Sequence, residues 1–217
     1  SARGARRMKS RFGASLEPFS RCQLNLFEKP GDSLYRISHV DLLDSGQALR
    51  EELALMACAA RMVNVVAAVT PDGDPDARLF ETLAQGLGSL KESRDPLLTA
   101  LLFQIRLLGL TGFRPQTDQC AACGKPHLMG EPQFSPAAGG FVCLGCSARQ
   151  MRRCVAMSRG SLSFLQQAIR LTPALVTRLK ATGQVRAEVE EAIEGYVTVV
   201  AGRRLPPVDF LASTASV

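Results

Sequence analysis

Cys120-Ala-Ala-Cys-Gly-Lys-Pro126 opens, and Gly139-Gly-Phe-Val-Cys-Leu-Gly-Cys146 closes, the stretch whose reading decides the fold. Each pair of cysteines is separated by two residues, and 19 residues lie between Cys123 and Cys143. That falls inside the spacing of a four-cysteine zinc site, two CxxC pairs about 15–20 residues apart. A two-residue interval lets both thiolates of a tight turn face one ion while neighbouring amides hydrogen-bond the sulfurs. Gly124 and Gly145 are expected to supply the backbone angles of the two knuckles. Phe134 and Phe141-Val142 read as short strands, so a hairpin is predicted between the knuckles. Four thiolates close a tetrahedron and leave no place for a reactive water, which makes the site structural. On the residues alone, iron in the same ligand set and a pair of disulfides are the competing readings.

The remaining chemistry-bearing residues are sparse. A zinc deaminase needs a His or Cys followed by x-Glu upstream of its CxxC, and neither His39 nor His127 starts such a motif. His127 reads as a surface loop residue, and His39 as an ordinary strand histidine. There is no nucleophile elbow, phosphate-binding loop or dinucleotide fingerprint, so no enzyme is expected. Of seven cysteines, Cys22, Cys58 and Cys154 lie outside the pairs. An odd count with two CxxC pairs points to metal plus core in a reducing compartment. With no apolar run of about 18 residues and no apolar segment after the basic start, the expected location is the cytoplasm.

Outward from the cysteines the pattern is helical. Ala48–Val69 reads as one long helix stopped by Pro71-Asp-Gly-Asp-Pro75. Ala77–Gly88 reads as a second, with Leu79, Phe80, Leu83 and Leu87 on its apolar face. A third starts at Asp95-Pro96, with Pro in the first turn, and closes at Thr111-Gly112. After the metal segment, helices are expected from Ser158 to Leu171, from Pro173 to Lys180 and from Gln184 to Ala201. Near the N-terminus, Cys22–Phe27 and Leu34–Val40 alternate apolar and polar residues around the turn sequence Lys29-Pro-Gly-Asp-Ser33. That is a hairpin, and a lone hairpin is marginal in water. With no Met at position 1, the chain is expected to begin inside a small β-domain.

Charge is segregated along the chain, whose formal net charge is +6. Residues 1–27 carry six basic residues against Glu17 alone, residues 28–146 carry ten against 14 acidic, and residues 147–204 carry ten against four. Positive ends around an acidic middle point to a polyanion partner. Arg3, Arg6, Arg7, Lys9 and Arg11 crowd into nine positions, a density suited to phosphate contacts without sequence readout. Phe12, Phe19, Phe27 and Tyr35 offer stacking surfaces of the kind single-strand binders use, although Phe27 and Tyr35 equally suit a core.

The order of these features resembles the RecO family of bacterial recombination mediators. The match is carried by Gly4-Ala-Arg-Arg-Met-Lys-Ser-Arg11 with Leu16-Glu-Pro-Phe19, by Leu107-Leu-Gly-Leu-Thr-Gly-Phe-Arg-Pro115, by the cysteine segment, and by Gly202-Arg-Arg-Leu-Pro-Pro-Val-Asp-Phe-Leu211. The resemblance implies an α+β chain. Residues 1–45 would be the later part of an OB-fold, and residues 46–217 a helical domain with a four-cysteine zinc-ribbon finger inserted at 113–148. It implies structural Zn2+ on Cys120, Cys123, Cys143 and Cys146, and binding and annealing of single- and double-stranded DNA. The implied partners are RecR, the acidic C-terminal tail of single-stranded DNA-binding protein, and RecA indirectly, in the bacterial nucleoid. Arg3, Arg6, Arg7, Lys9 and Arg11 take the DNA-phosphate role, with Arg152, Arg153 and Arg159 a second group. For the acidic tail, Leu101 and Leu102 stand where some members carry arginines, and Arg106, one turn on, is the candidate. The alternative reading is a zinc-ribbon module for protein contact without DNA activity.

Overall fold

The computed structural model describes residues 12–28, 31, 35–71, 73, 75–126, 131–149, 154–171 and 178–206. The expected hairpin is present as β1 (Arg21–Phe27) and β2 (Arg36–Asp44), paired antiparallel with register shifts at Arg21/Cys22 and Asn25/Leu26. It forms a two-stranded sheet. Leu24, Leu26, Phe27, Leu42 and Leu43 are exposed on it, so Phe27 is surface rather than core, as is Tyr35 beside it. Phe12 is instead buried and Phe19 packs against the core. His39 is exposed and bonded to Asp41 at 3.0 Å.

The hairpin is fastened to the helices at its base. The Arg50 guanidinium donates to the carbonyls of Pro18 and Ser45, both at 2.7 Å. Lys91 donates to Asp44 at 2.5 Å, and this bond holds the Asp44 carboxyl below its ordinary range. Phe19 adopts a left-handed φ of 65°. Its carbonyl lies where a Cβ on Gly46 would come to 2.5 Å, so position 46 accepts only glycine without movement.

The predicted long helix is two: α1 (Ala48–Glu51) and α2 (Leu53–Val69), with Glu52 extended between them at φ −119°, ψ 128°. The reason is Leu49. In one continuous helix it would lie about 160–220° round the axis from Cys58, Met62 and Val65, facing solvent while they face the core. The break lets all four be buried. Next come α3 (Ala77–Lys91), capped by Asp76, and α4 (Pro96–Leu110), capped by Asp95, whose carboxylate accepts from the Leu98 amide at 3.1 Å. α3 runs one turn longer than its pattern predicts, and Phe80 is 53% exposed rather than core-facing. α4 is apolar nearly all round and is the central element, packing against α2, α3 and two later helices.

The chain then enters the cysteine segment, with β3 (Gln133–Ser135), β4 (Gly140–Val142), α5 (Leu144–Arg149) and β5 (Val155–Ala156), the strands in the order β4-β3-β5. It closes with α6 (Arg159–Arg170), capped by Ser158 as expected, and α7 (Gly183–Val200). The helix expected over 173–180 lies largely outside the described residues. With small sheets and seven helices among the described residues, the α+β class holds.

Three polar joints hold the helices in register. Arg61 on α2, 2% exposed, donates to Gln104 on α4 (3.1 Å), to the Pro206 carbonyl (3.1 Å) and to Glu194 on α7. Burial pushes this guanidinium below its ordinary value, and Glu194 opposes the shift. Arg186 on α7 grips Asp95 through two nitrogens, at 2.6 and 3.0 Å, so the cap of α4 is also its anchor to α7. Glu188 on α7 accepts from the Ser158 amide (2.7 Å), the Ser161 hydroxyl (2.5 Å) and Gln184 (2.6 Å). Burial works against its charge, but these donors prevail and bring its carboxyl from 4.5 down to about 2.

Two outcomes follow from these joints. Glu194→Ala leaves a buried cation poorly compensated and should cost about 3 kcal/mol in urea unfolding. Adding Arg61→Met should recover part of that loss, because the charge itself is then gone. Glu188 has a depressed folded value, so its contribution is complete above pH 4.5 and is lost as pH falls from there towards 2. Glu188→Gln should therefore flatten the acid limb of a thermal-stability profile over that interval.

Candidate metal centre

The four paired cysteines converge. Their sulfurs all lie within 4.8 Å of one another, with Cys120 buried, Cys123 exposed, and Cys143 and Cys146 half-buried. Sulfurs about 2.3 Å from a central ion in a tetrahedron stand about 3.8 Å apart, and Cys123 and Cys143 are separated by 3.8 Å. The donor set and its spacing thus fit one thiophilic ion, and Cys120, Cys123, Cys143 and Cys146 are the residues able to hold it.

Local backbone explains why the sequence closes here. In the first knuckle the Gly124 amide donates to the Cys120 carbonyl and the Cys120 amide to the Lys125 carbonyl, both at 2.9 Å. Gly124 takes φ +71°, as its position requires. In the second knuckle the amides of Cys146 and Ser147 both return to the Cys143 carbonyl. Gly145 does not need a left-handed angle, contrary to expectation, because the second knuckle runs straight into α5. The knuckles are joined by the Cys143 amide, which donates to the Cys120 sulfur at 3.3 Å.

Electrostatics then call for a cation. Burial disfavours the Cys120 thiolate, but amides of Cys143, Cys123 and Ala122 outweigh it and bring that thiol to about 6. Cys146 is driven the other way, to about 12, first by its bonds to Cys143 and Cys123 and then by burial and the Cys120 charge. Four sulfurs this close cannot all be anionic unless a positive ion sits among them.

The hairpin between the knuckles forms as predicted, with Phe134 opposite Phe141. It is wired into the helical body. Phe134 meets Phe141 edge-on at 5.5 Å and Tyr196 of α7 at 6.1 Å, and all three rings are buried. Gln116 brackets β4 through bonds to Gly139 and Phe141 (2.9 Å each), and a Cβ on Gly140 would strike the Gln116 carbonyl oxygen at 2.4 Å. The Met157 amide donates to the Pro132 carbonyl, joining β5 to the strand beside it.

The other candidate residues are distributed differently. Arg3, Arg6, Arg7, Lys9, Arg11, Arg152, Arg153 and His127 lie outside the described residues. Arg159 is exposed at the start of α6. Leu101 and Leu102 are 4% and 7% exposed, so neither position can meet a partner. Arg106 is half-buried and lines a groove of about 210 Å3 with Arg114, floored by Ile105, Leu110, Ala168 and Ile169 of α4 and α6. Arg114 has no role in the sequence reading, although it lies in the stretch Leu107–Pro115 that carries the resemblance. Arg61 also has no role there, and it is the buried hub of the helices.

Residues 50–207 match the family described as Recombination protein O C terminal, and residues 1–45 that described as Recombination protein O N terminal. The chain is similar to the DNA repair protein RecO of Symbiobacterium thermophilum, 31% identical over 215 residues, covering 97% of this chain and 83% of the relative. It is 34% identical over 212 residues to that of Myxococcus xanthus, with the same coverage. To that of Rubrobacter xylanophilus it is 37% identical over 146 residues, 67% of this chain and 58% of the relative.

Elemental analysis of purified protein should find one ion per chain. Cys120→Ser should lower that content and the urea midpoint together, because the buried sulfur anchors both knuckles.

Proposed function

Because the chain belongs to the RecO family of DNA repair proteins, we propose that it is a non-enzymatic recombination mediator that binds single- and double-stranded DNA and anneals complementary strands. With RecR it helps load RecA onto DNA coated by single-stranded DNA-binding protein, in the cytoplasm. The observation that carries this reading is the match of both family halves, in order, along the chain. The matched spans also support the proposed division. Residues 1–45 are the later part of an OB-fold, and 46–217 a helical domain whose zinc-ribbon segment occupies 113–148. No helix among the described residues is long and apolar enough to cross a membrane.

In this reading the metal is zinc. Four thiolates at tetrahedral spacing suit it, and it supplies cross-linking rather than reactivity. Cys120, Cys123, Cys143 and Cys146 hold it, so the knuckles brace α5 and the basic stretch containing Arg152 and Arg153. DNA phosphates are met by Arg3, Arg6, Arg7, Lys9 and Arg11, with Arg152 and Arg153 as a second contact. The groove of Arg106 and Arg114 receives the acidic tail of single-stranded DNA-binding protein. Its apolar floor and two guanidiniums suit a peptide carrying carboxylates beside apolar side chains.

Affinity for single-stranded DNA should fall steeply between low and moderate salt. Arg6→Ala with Arg7→Ala should flatten the log-log slope by about two. Binding that is absent or indifferent to salt would instead favour a module for protein contact alone. Arg106→Ala with Arg114→Ala should weaken binding of an acidic tail peptide about tenfold, measured by fluorescence anisotropy, while leaving the urea midpoint unchanged.

A further inference from the structure

The four sulfurs differ in reach. Cys120 is 1% exposed and lies under the second knuckle, its sulfur bonded by the Cys143 amide. Cys123 stands at the exposed tip of the first knuckle, among Ala122, Gly124, Lys125 and Pro126, all open to solvent. Its sulfur is 3.8 Å from that of Cys143 on the other knuckle. A disulfide needs about 2.05 Å between sulfurs, so the two sulfurs must close by roughly 1.7 Å to bond once no ion holds them apart.

From this asymmetry we propose that Cys123 is an oxidation site, at which a peroxide converts the Cys123–Cys143 pair to a disulfide and expels the metal. The inference rests on the reading of the centre as a zinc site. The Cys123 thiolate attacks one peroxide oxygen, the O–O bond breaks, and a sulfenic acid and hydroxide form. The Cys143 thiolate then attacks the Cys123 sulfur, the S–O bond breaks, and a second hydroxide leaves. Two thiolates lose two electrons, the peroxide gains them, and two protons from solvent turn the hydroxides to water. With Cys123 and Cys143 joined, only Cys120 and Cys146 would remain as thiolate ligands, too few to hold the ion.

The bond that forms joins the two knuckles, not the two ends of one. It therefore keeps Cys120 and Cys146 near each other as thiols, ready to take the ion again once a dithiol reductant breaks the bridge. Oxidation within the first CxxC pair would instead consume Cys120, which is out of reach of solvent, and a bridge within the second would leave the exposed Cys123 unused. The knuckle thus works as a reversible sensor of peroxide.

The test uses the full chain as purified. Metal content is measured first, and stoichiometric hydrogen peroxide is then added with a chromogenic zinc chelator present. Peptide mass spectrometry maps the bridge. One equivalent of zinc released, with Cys123 joined to Cys143 and the loss reversed by dithiothreitol and zinc, supports the proposal. Cys123→His keeps four donors but cannot form the bridge, and its zinc release should be about tenfold slower. Zinc that peroxide does not release, a bridge that includes Cys120, or equal release from the histidine variant overturns the proposal while leaving the zinc reading intact. A chain purified without zinc overturns that reading, and the proposal with it.

Discussion

Four sulfur atoms within 4.8 Å of one another are the constraint on which the second half of the chain depends. Brought together by two knuckles, they cannot all ionise, and unionised they leave the segment from Gln116 to Met157 with little of its own to close on. Its strands are three, three and two residues long, too short to stand as a sheet in water. A cation among the thiolates would turn this repulsion into a cross-link. The strands then present Phe134 and Phe141 as a preformed wedge against Tyr196. The metal segment is therefore part of the core of the helical body, reached through aromatic rings rather than a flexible tether.

The helical body meets the same problem with different chemistry. Its core is built on α4, apolar nearly all round, and a helix of that kind has little to fix its rotation. Arg61, Arg186 and Glu188 supply directional contacts between α2, α4, α6 and α7. Buried charge gives register at a cost in desolvation. These arginines are committed to the interior, and the cations left at the surface lie elsewhere.

Much of this was legible in the residues. The cysteine spacing predicts the convergence of the knuckles, and the strand residues Phe134 and Phe141-Val142 predict the pairing between them. Asp95-Pro96 and Ser158 mark helix starts where the caps are found. What was not legible depends on tertiary context. Glu52 breaks a helix that propensity favours continuing, because Leu49 must turn back to the core. Phe80 falls on the apolar stripe of α3 yet faces solvent, since α2 and α4 cover only part of that stripe. Arg61 reads as a blemish in an apolar helix until Glu194, 133 positions away, is brought beside it. The groove of Arg106 and Arg114 needs α6 laid against α4, which no local pattern encodes.

The central claim is that the metal centre acts as a brace for the α7 side of the body rather than as a working site. Amide hydrogen exchange on the full chain, before and after removal of the ion by a chelator, tests it most directly. Protection should fall across 133–142 and 155–158 and along the face of α7 around Tyr196, while α2 and α4 keep theirs. Unchanged protection in those strands, or a loss spread evenly over α2 and α4, would contradict it.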